Sequence, residues 1–170
     1  SSIAFAALDN IGANDPMGFG SRIACLTAPF ICLDGVNEKG VSIAVLTLDS
    51  EPTRQKTEGR PTIATSLVIR LVLDRADSTE AAVELIGGYA MLASSGRDYH
   101  FFITDASGDS RVVEYDCDSL ERTMTVTRVE ATTNFYAMHA DRVLPHQRNG
   151  RYGHGRERYD SVMDVIERTR

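Results

Sequence analysis

The 170-residue sequence is long enough for one domain with a sizeable core, and its 42% apolar and 25% charged residues are ordinary for a globular protein. A net charge of −6 and a pI of about 5.2 argue against a nucleic-acid partner. No apolar run reaches the length of a membrane-spanning helix, so we expect no membrane partner. We predict a single domain over residues 1–170.

The first third of the chain is predicted to form short strands joined by polar loops. Residues 1–8 have the apolar content of a strand, and residues 10–20 have the Gly and Pro content of a loop. Asp34-Gly35 and Asn37-Glu38-Lys39-Gly40 are turn signals. The mostly apolar run 41–48 then predicts a strand that is buried on both faces.

Two helices are predicted in the middle of the chain. Apolar residues recur at helical spacing from about Pro61 to Arg75, with Pro61 in the first turn. Ser78-Thr79-Glu80, after Asp77, can cap a second helix that ends at Gly87-Gly88, since Asp77 and Glu80 have capping-box spacing. The short connection predicts an antiparallel pair that covers one face of a sheet.

The second half is predicted to return to strands and to end in a helix. Strands are expected over residues 99–104, 111–115, 122–129 and 131–135, with a hairpin turn over residues 105–109. Residues 134–155 are expected to be irregular. Residues 157–168 form an amphipathic pattern with one apolar side made of Tyr159, Val162, Met163 and Ile166.

The segment Asp34–Val41 resembles the DGMNEKGL segment of the choloylglycine hydrolase family, with Val36 for the Met and Val41 for the Leu. That family includes bile salt hydrolases, penicillin V acylases and related linear amide hydrolases. A helix pair, Thr133-Asn134 and Arg158-Tyr159 follow in the family's order. The resemblance implies an α+β fold, an N-terminal nucleophile αββα sandwich with antiparallel sheets and a helix pair on one face, of which this chain is the central part.

The nucleophile is expected to lie outside this chain. Ser1 is a candidate, because an N-terminal residue can use its own α-amino group as base. The family instead uses an N-terminal Cys followed shortly by Arg and Asp, and residues 1–12 resemble a later family segment. Cys25, Cys32 and Cys117 do not match the nucleophile position and show no disulfide framework. We therefore expect the isolated chain to be inactive.

The resemblance implies that Asn134 and Thr47 contribute to an oxyanion hole. Asn134 matches the asparagine of the family's LTN segment, and a fixed side-chain amide can stabilise the oxyanion formed at an amide carbonyl. The alternative is an Asn that satisfies local backbone groups. Thr47, predicted to bind substrate, stands where bile salt hydrolases carry Asn and penicillin V acylases carry Tyr. Its side chain departs from both patterns and therefore implies neither bile salts nor penicillin V as substrate, but its backbone N–H can still line the oxyanion hole. The alternative is a polar residue near the end of a core strand.

Arg158 matches the active-site arginine of an SRF-type family segment. A guanidinium near the nucleophile would favour the thiolate and stabilise developing negative charge. The alternatives are a helix-surface Arg paired with an acid such as Asp160, or the neighbouring Arg156 in the same role.

The implied reaction is hydrolysis of a linear, non-peptide, small-molecule amide through an acyl-enzyme. The four His residues have no convincing ligand spacing and no phosphate loop is present, so we expect no cofactor and no metal. Two alternatives stay open: a non-catalytic ligand-binding module on the same scaffold, and an acyltransferase. The sequence leaves the substrate, the compartment and the oligomeric state open, a homo-oligomer included.

Overall fold

A computed structural model describes residues 30–94, 96–145 and 152–170; the elements predicted over residues 1–27, and Cys25, lie outside these ranges. One antiparallel sheet contains the strands β1 (Asp34–Val36), β2 (Ser42–Leu48), β5 (Asp98–Thr104), β6 (Ser110–Tyr115) and β7 (Met124–Arg128), in the order β1-β2-β5-β6-β7. Two shorter strands, β3 (Thr62–Ala64) and β4 (Ala90–Leu92), pair in parallel as a second sheet. The sequence did not predict this pair.

The predicted helix pair is present as α1 (Thr65–Arg75) and α2 (Thr79–Gly87). The first helix begins later than Pro61, because residues 62–64 pair with β4 instead of joining the helix. The second helix is capped within the predicted segment 77–80, but not by the Asp77 of the capping-box pair. Ser78, and not Asp77, is the N-cap residue, and its hydroxyl accepts a hydrogen bond from the Ala81 N–H at 3.2 Å.

The hydrophobic core lies between the helix pair and one face of the large sheet. Alternation along the strands places Ile43, Phe101 and Val113 in this core, where they pack with Val72 and Ile86 of the helices. Cys32 packs against the same cluster. Burial of these apolar side chains is the main force that holds the pair on the sheet.

The turn between β1 and β2 explains the DGxNEKG pattern. A Cβ atom at Gly35 would lie 2.6 Å from Leu73 Cδ1, so glycine lets α1 approach the strand. Asn37 Oδ1 accepts two backbone N–H groups of the turn at 3.0 Å each, and its Nδ2 donates to the Ala76 and Leu73 carbonyls at 2.8 and 3.2 Å. Gly40 has φ +83°, which favours glycine. The motif therefore fastens the turn to the end of α1.

Three sequence predictions differ from the structure here. Asp34-Gly35 belongs to β1 and is not a turn; only Asn37–Gly40 turns the chain. Strand β2 is not buried throughout, since Ile43 and Leu48 are buried and the residues between them are half-buried. Residues 131–135 form no strand. Phe135 makes only an isolated β-bridge with Gly153.

The chain ends with a 3₁₀ turn (Ala137–His139) and the helices α3 (Ala140–Val143) and α4 (Arg156–Thr169). The last of these confirms the predicted amphipathic helix, although none of its residues is buried. Within the described ranges, no helix is both long enough and apolar enough to cross a membrane.

Candidate active site

A segment of the chain around residues 133–139 is held on the sheet face opposite the helix pair by buried polar contacts. The fully buried carboxylate of Glu114 accepts the N–H groups of Ala137 and Met138 at 2.9 and 2.6 Å. The Tyr136 hydroxyl donates to Asp98 at 2.5 Å. These contacts fix the residues that follow Asn134 and so fix the position of Asn134 beside the end of β2.

Tyr136 remains a hydrogen-bond donor in this environment. Burial raises the pKa of its hydroxyl, and the charge of Asp98 and the hydrogen bond to it act in the same direction. Asp98 also accepts the Thr53 N–H at 3.2 Å and lies 3.5 Å from the Arg122 guanidinium. The buried carboxylate is thus satisfied from several segments.

Two glycines bring the start of α4 against the segment that carries Asn134. A Cβ atom at Gly153 would overlap the Asn134 carbonyl oxygen and the Phe135 backbone. At Gly155, a Cβ atom would lie 2.7 Å from Thr133 Oγ1 and 2.8 Å from an Arg158 terminal nitrogen. The Gly155 carbonyl accepts from the Thr133 hydroxyl at 3.0 Å. The two segments pack backbone to backbone, which places Arg158 beside Asn134.

The three residues predicted for the site form one hydrogen-bonded chain. The Arg158 guanidinium donates to Asn134 Oδ1 at 2.9 Å, and Asn134 Nδ2 donates to the Thr47 carbonyl oxygen at 2.9 Å. A guanidinium only donates and a carbonyl only accepts, so both ends of the amide are fixed in orientation. Within the described residues, the second N–H of Asn134 Nδ2 has no acceptor.

The backbone N–H of Thr47 faces the same edge of β2 as this amide. The N–H of Val45 donates to the Leu33 carbonyl oxygen at 2.9 Å, on the β1 side of the strand. Backbone groups of alternate residues point to the same edge, so the N–H and carbonyl of Thr47 point there too, beyond the end of β1. This edge therefore presents the Thr47 N–H close to the Asn134 amide.

Arg156 does not join this cluster. Its guanidinium contacts Asp160 at 3.2 Å and the Pro145 carbonyl at 3.4 Å. Of the two neighbouring arginines, Arg158 is the one that contacts Asn134.

The sequence analysis missed His154 and Asp49. The His154 N–H donates to the Asn134 carbonyl oxygen at 2.8 Å, and His154 Nδ1 lies 2.9 Å from Asp49 Oδ2. Asp49 lines a cavity of about 760 Å³, and Leu48, the residue after Thr47, lines it as well. The Gly-His-Gly and Leu-Asp-Ser patterns resemble ordinary loops, so the sequence carried no signal for this pair.

The model of the linear amide C–N hydrolases, choloylglycine hydrolase family, matches residues 8–142. The chain belongs to this family. Its match contains Thr47 and Asn134 and ends before Arg158. No curated protein matched the chain.

Solved structures with a similar fold confirm the predicted α+β fold class with an antiparallel sheet. A variant of the conjugated bile acid hydrolase from Clostridium perfringens shares 22% identity at a TM-score of 0.54, over 66% of this chain and 37% of that one. Penicillin V acylase from Agrobacterium tumefaciens shares 24% identity at a TM-score of 0.54, over 68% of this chain and 36% of that one. The match with this choloylglycine hydrolase family chain thus covers little more than a third of the length of either structure.

Proposed function

We propose that the protein containing this chain hydrolyses a linear, non-peptide amide of a small molecule through an acyl-enzyme. Family membership supports amide C–N hydrolysis. The observation that carries the proposal furthest is the hydrogen-bonded chain from Arg158 through Asn134 to Thr47. It holds two N–H donors at one strand edge, as an oxyanion hole for acyl transfer requires.

In the proposed reaction, the nucleophile is a Cys outside the described residues whose own α-amino group takes the thiol proton. The thiolate attacks the amide carbonyl, and the oxyanion accepts the free N–H of Asn134 and the Thr47 N–H. Collapse breaks the C–N bond, and the amine leaves with the proton held by the α-amino group. Water then hydrolyses the thioester, which releases the acid and restores the thiol.

Arg158 acts in this proposal through Asn134 and through its charge. The hydrogen bond to Oδ1 withdraws electron density from the amide and makes Nδ2 a stronger donor. The positive charge at the same edge also favours the thiolate and the oxyanion over their neutral forms. The side chain is exposed in the chain described here, so these charge effects are larger where the remaining protein excludes water.

Steady-state kinetics of the full-length protein test the proposal, with a conjugated bile acid and penicillin V as first probes. Asn134→Ala should lower kcat by about 10²- to 10³-fold, the typical cost of one oxyanion donor, with a smaller change in KM. Thr132→Val is the matched control, because among the described residues the Thr132 hydroxyl bonds only to the adjacent backbone carbonyl, at 3.4 Å. A folded Asn134→Ala protein with unchanged kcat would contradict the oxyanion role.

Intact-mass measurement during turnover separates the remaining possibilities. A mass increase equal to the acyl group supports the acyl-enzyme. Transfer of that group to an added amine in preference to water would identify an acyltransferase. Saturable binding of the amide without turnover or acylation would identify a binding module and would overturn the hydrolase proposal.

A further inference from the structure

A second cluster of chemically capable side chains lies at the end of β6, apart from the Asn134 site. Asp116 and Cys117 directly follow β6, and His139 ends the 3₁₀ turn. One potential ligand atom from each of these three residues lies within 4.8 Å of the other two. Cys117 and His139 are each only 8% exposed, whereas Asp116 is half-buried and Cys117 also lines the cavity that Asp49 lines.

The imidazole of His139 has an unsatisfied nitrogen aimed into this cluster. Its Nε2 atom is buried and makes no hydrogen bond within the described part of the chain. The nearest carboxylate oxygens, from Asp116 and Asp118, are both 3.7 Å away. A buried polar atom without a hydrogen-bond partner costs free energy, and a ligand bound to this nitrogen would remove that cost.

The spacing of the cluster is that of ligands around one metal ion. Ligand atoms that each lie about 2.0–2.3 Å from Zn²⁺ in tetrahedral geometry are separated by about 3.3–3.8 Å. The 3.7 Å separation between His139 Nε2 and the Asp116 oxygen is too long for a hydrogen bond but fits this range. All three ligand atoms lie within 4.8 Å of one another, so small side-chain rotations would bring every pair into this range.

We propose that Asp116, Cys117 and His139 bind a Zn²⁺ ion. A thiolate, an imidazole and a carboxylate are the donor types that zinc prefers, and the thiol would release its proton to solvent on binding. Asp116 Oδ1 also accepts the Asp118 N–H at 2.8 Å, which holds it beside His139. The Asp118 carboxylate contacts Arg142 and the Tyr152 hydroxyl, and water would supply the fourth ligand.

The proposed ion would connect two parts of the fold that position Asn134. Asp116 and Cys117 extend the strand that carries Glu114, and His139 belongs to the segment that Glu114 holds. The His139 ring also packs against the Tyr152 ring, with centroids 4.6 Å apart. A metal at this point would therefore stabilise the attachment of the Asn134 segment to the sheet. Sequence spacing did not predict it, because the fold alone brings these distant residues together.

Metal titration of the intact, metal-free protein tests this site, with Zn²⁺ for affinity and Co²⁺ as a spectroscopic probe. We expect one binding event with a thiolate-to-cobalt charge-transfer absorption and a rise in Tm that a chelator reverses. Cys117→Ser should abolish the charge-transfer absorption, and His139→Gln should weaken Zn²⁺ binding by more than about 10-fold. Cys32→Ser is the matched control, because Cys32 packs against the core between the helix pair and the sheet, and this variant should bind Zn²⁺ as the wild type does.

The outcomes are decisive in both directions. Binding that depends on Cys117 and His139 but not on Cys32 supports the site. A folded wild-type protein that binds no Zn²⁺ overturns the proposal, as does a Co²⁺ spectrum that Cys117→Ser leaves unchanged. In that case, the approach of His139 Nε2 to Asp116 and Asp118 at 3.7 Å is a structural contact within the fold and not a metal site. If His139→Gln does not fold, the near-isosteric Cys117→Ser variant still decides the question.

Discussion

The guanidinium of Arg158 contacts the side-chain oxygen of Asn134 at 2.9 Å. This contact leaves the amide nitrogen facing the Thr47 carbonyl, so the orientation of Asn134 is determined chemically at both ends. The residues come from a strand end, a loop and the first turn of a helix, separated by 87 and 24 positions. A catalytic amide needs this kind of support, because a loosely held donor loses much of its advantage over water.

Arg158→Leu is expected to lower kcat by about 10- to 100-fold, because a hydrogen bond to a charged group contributes about 1.5–3 kcal/mol. Arg156→Leu is the matched control, since Arg156 pairs with Asp160 and does not contact Asn134. Parallel kcat and KM measurements on the full-length protein check this. Equal losses in the two variants would show that Arg158 does not act through Asn134.

Gly153→Ala should destabilise the fold by about 3 kcal/mol, as the sum of a positive φ and a backbone overlap. Gly153 has φ +109°, and its Cβ would overlap the Asn134 carbonyl. Gly59→Ala separates the two effects, because Gly59 has φ +85° and a Cβ added there would meet nothing within 4 Å, so it should lose only about 1–2 kcal/mol. Urea unfolding of both variants gives the difference. Equal losses would mean that the overlap is relieved at little cost.

The sequence predicted the fold best where a short motif has a local physical cause. The Asn37–Gly40 turn, the helix pair and α4 follow from turn chemistry and helical periodicity. The grouping of Thr47, Asn134 and Arg158 followed only from the family resemblance, since no spacing rule joins residues so far apart. Arg156 and Arg158 could not be separated until the structure gave their contacts.

The features that the sequence did not predict depend on contacts between distant parts of the chain. Strands β3 and β4 have only three residues each, which is too short for a period-two pattern to identify. Residues 131–135 have strand propensity, but Phe135 bridges Gly153 instead of joining a sheet, and Glu114 fixes the Ala137 backbone that follows. The Asp49–His154 pair depends on a contact between distant loops.

Two buried tyrosines provide a test of what a buried hydroxyl contributes to stability. Tyr136 donates to Asp98 at 2.5 Å and contacts Ser50 at 2.6 Å, so Tyr136→Phe should cost about 1.5–3 kcal/mol of unfolding free energy. The Tyr115 hydroxyl is buried without a hydrogen-bond partner in the described ranges, so Tyr115→Phe should be neutral or stabilising. Chemical denaturation measures both. A larger loss in Tyr115→Phe would contradict these assignments.

The hairpin turn between β5 and β6 should make stability depend on acid pH. Asp105 accepts the Ser107 hydroxyl at 2.5 Å and the Thr79 N–H of α2 at 2.9 Å. The Ser107 hydroxyl and then the Thr79 N–H hold the pKa of Asp105 well below its ordinary value of 3.8. The turn thereby ties the sheet to the start of the second helix.

Because the folded pKa of Asp105 lies below the unfolded one, folding favours the ionised carboxylate. Its contribution is complete above the ordinary value of 3.8 and is lost as the pH falls through the lowered folded pKa. Asp105→Asn should therefore lower the urea midpoint at neutral pH, and its deficit against wild type should shrink steadily as the pH falls below 3.8.

An NMR titration of the Asp105 carboxyl measures the cause directly. Ser107→Ala removes the largest contribution and should move the folded pKa of Asp105 up towards its ordinary value. Ser119→Ala, in the turn after β6, is the control and should leave that pKa in place, because Ser119 contacts Glu121 and Thr123 instead. A titration of Asp105 at its ordinary value in the wild type would mean that the turn does not bind α2 through this carboxylate. The deficit of Asp105→Asn would then be independent of pH.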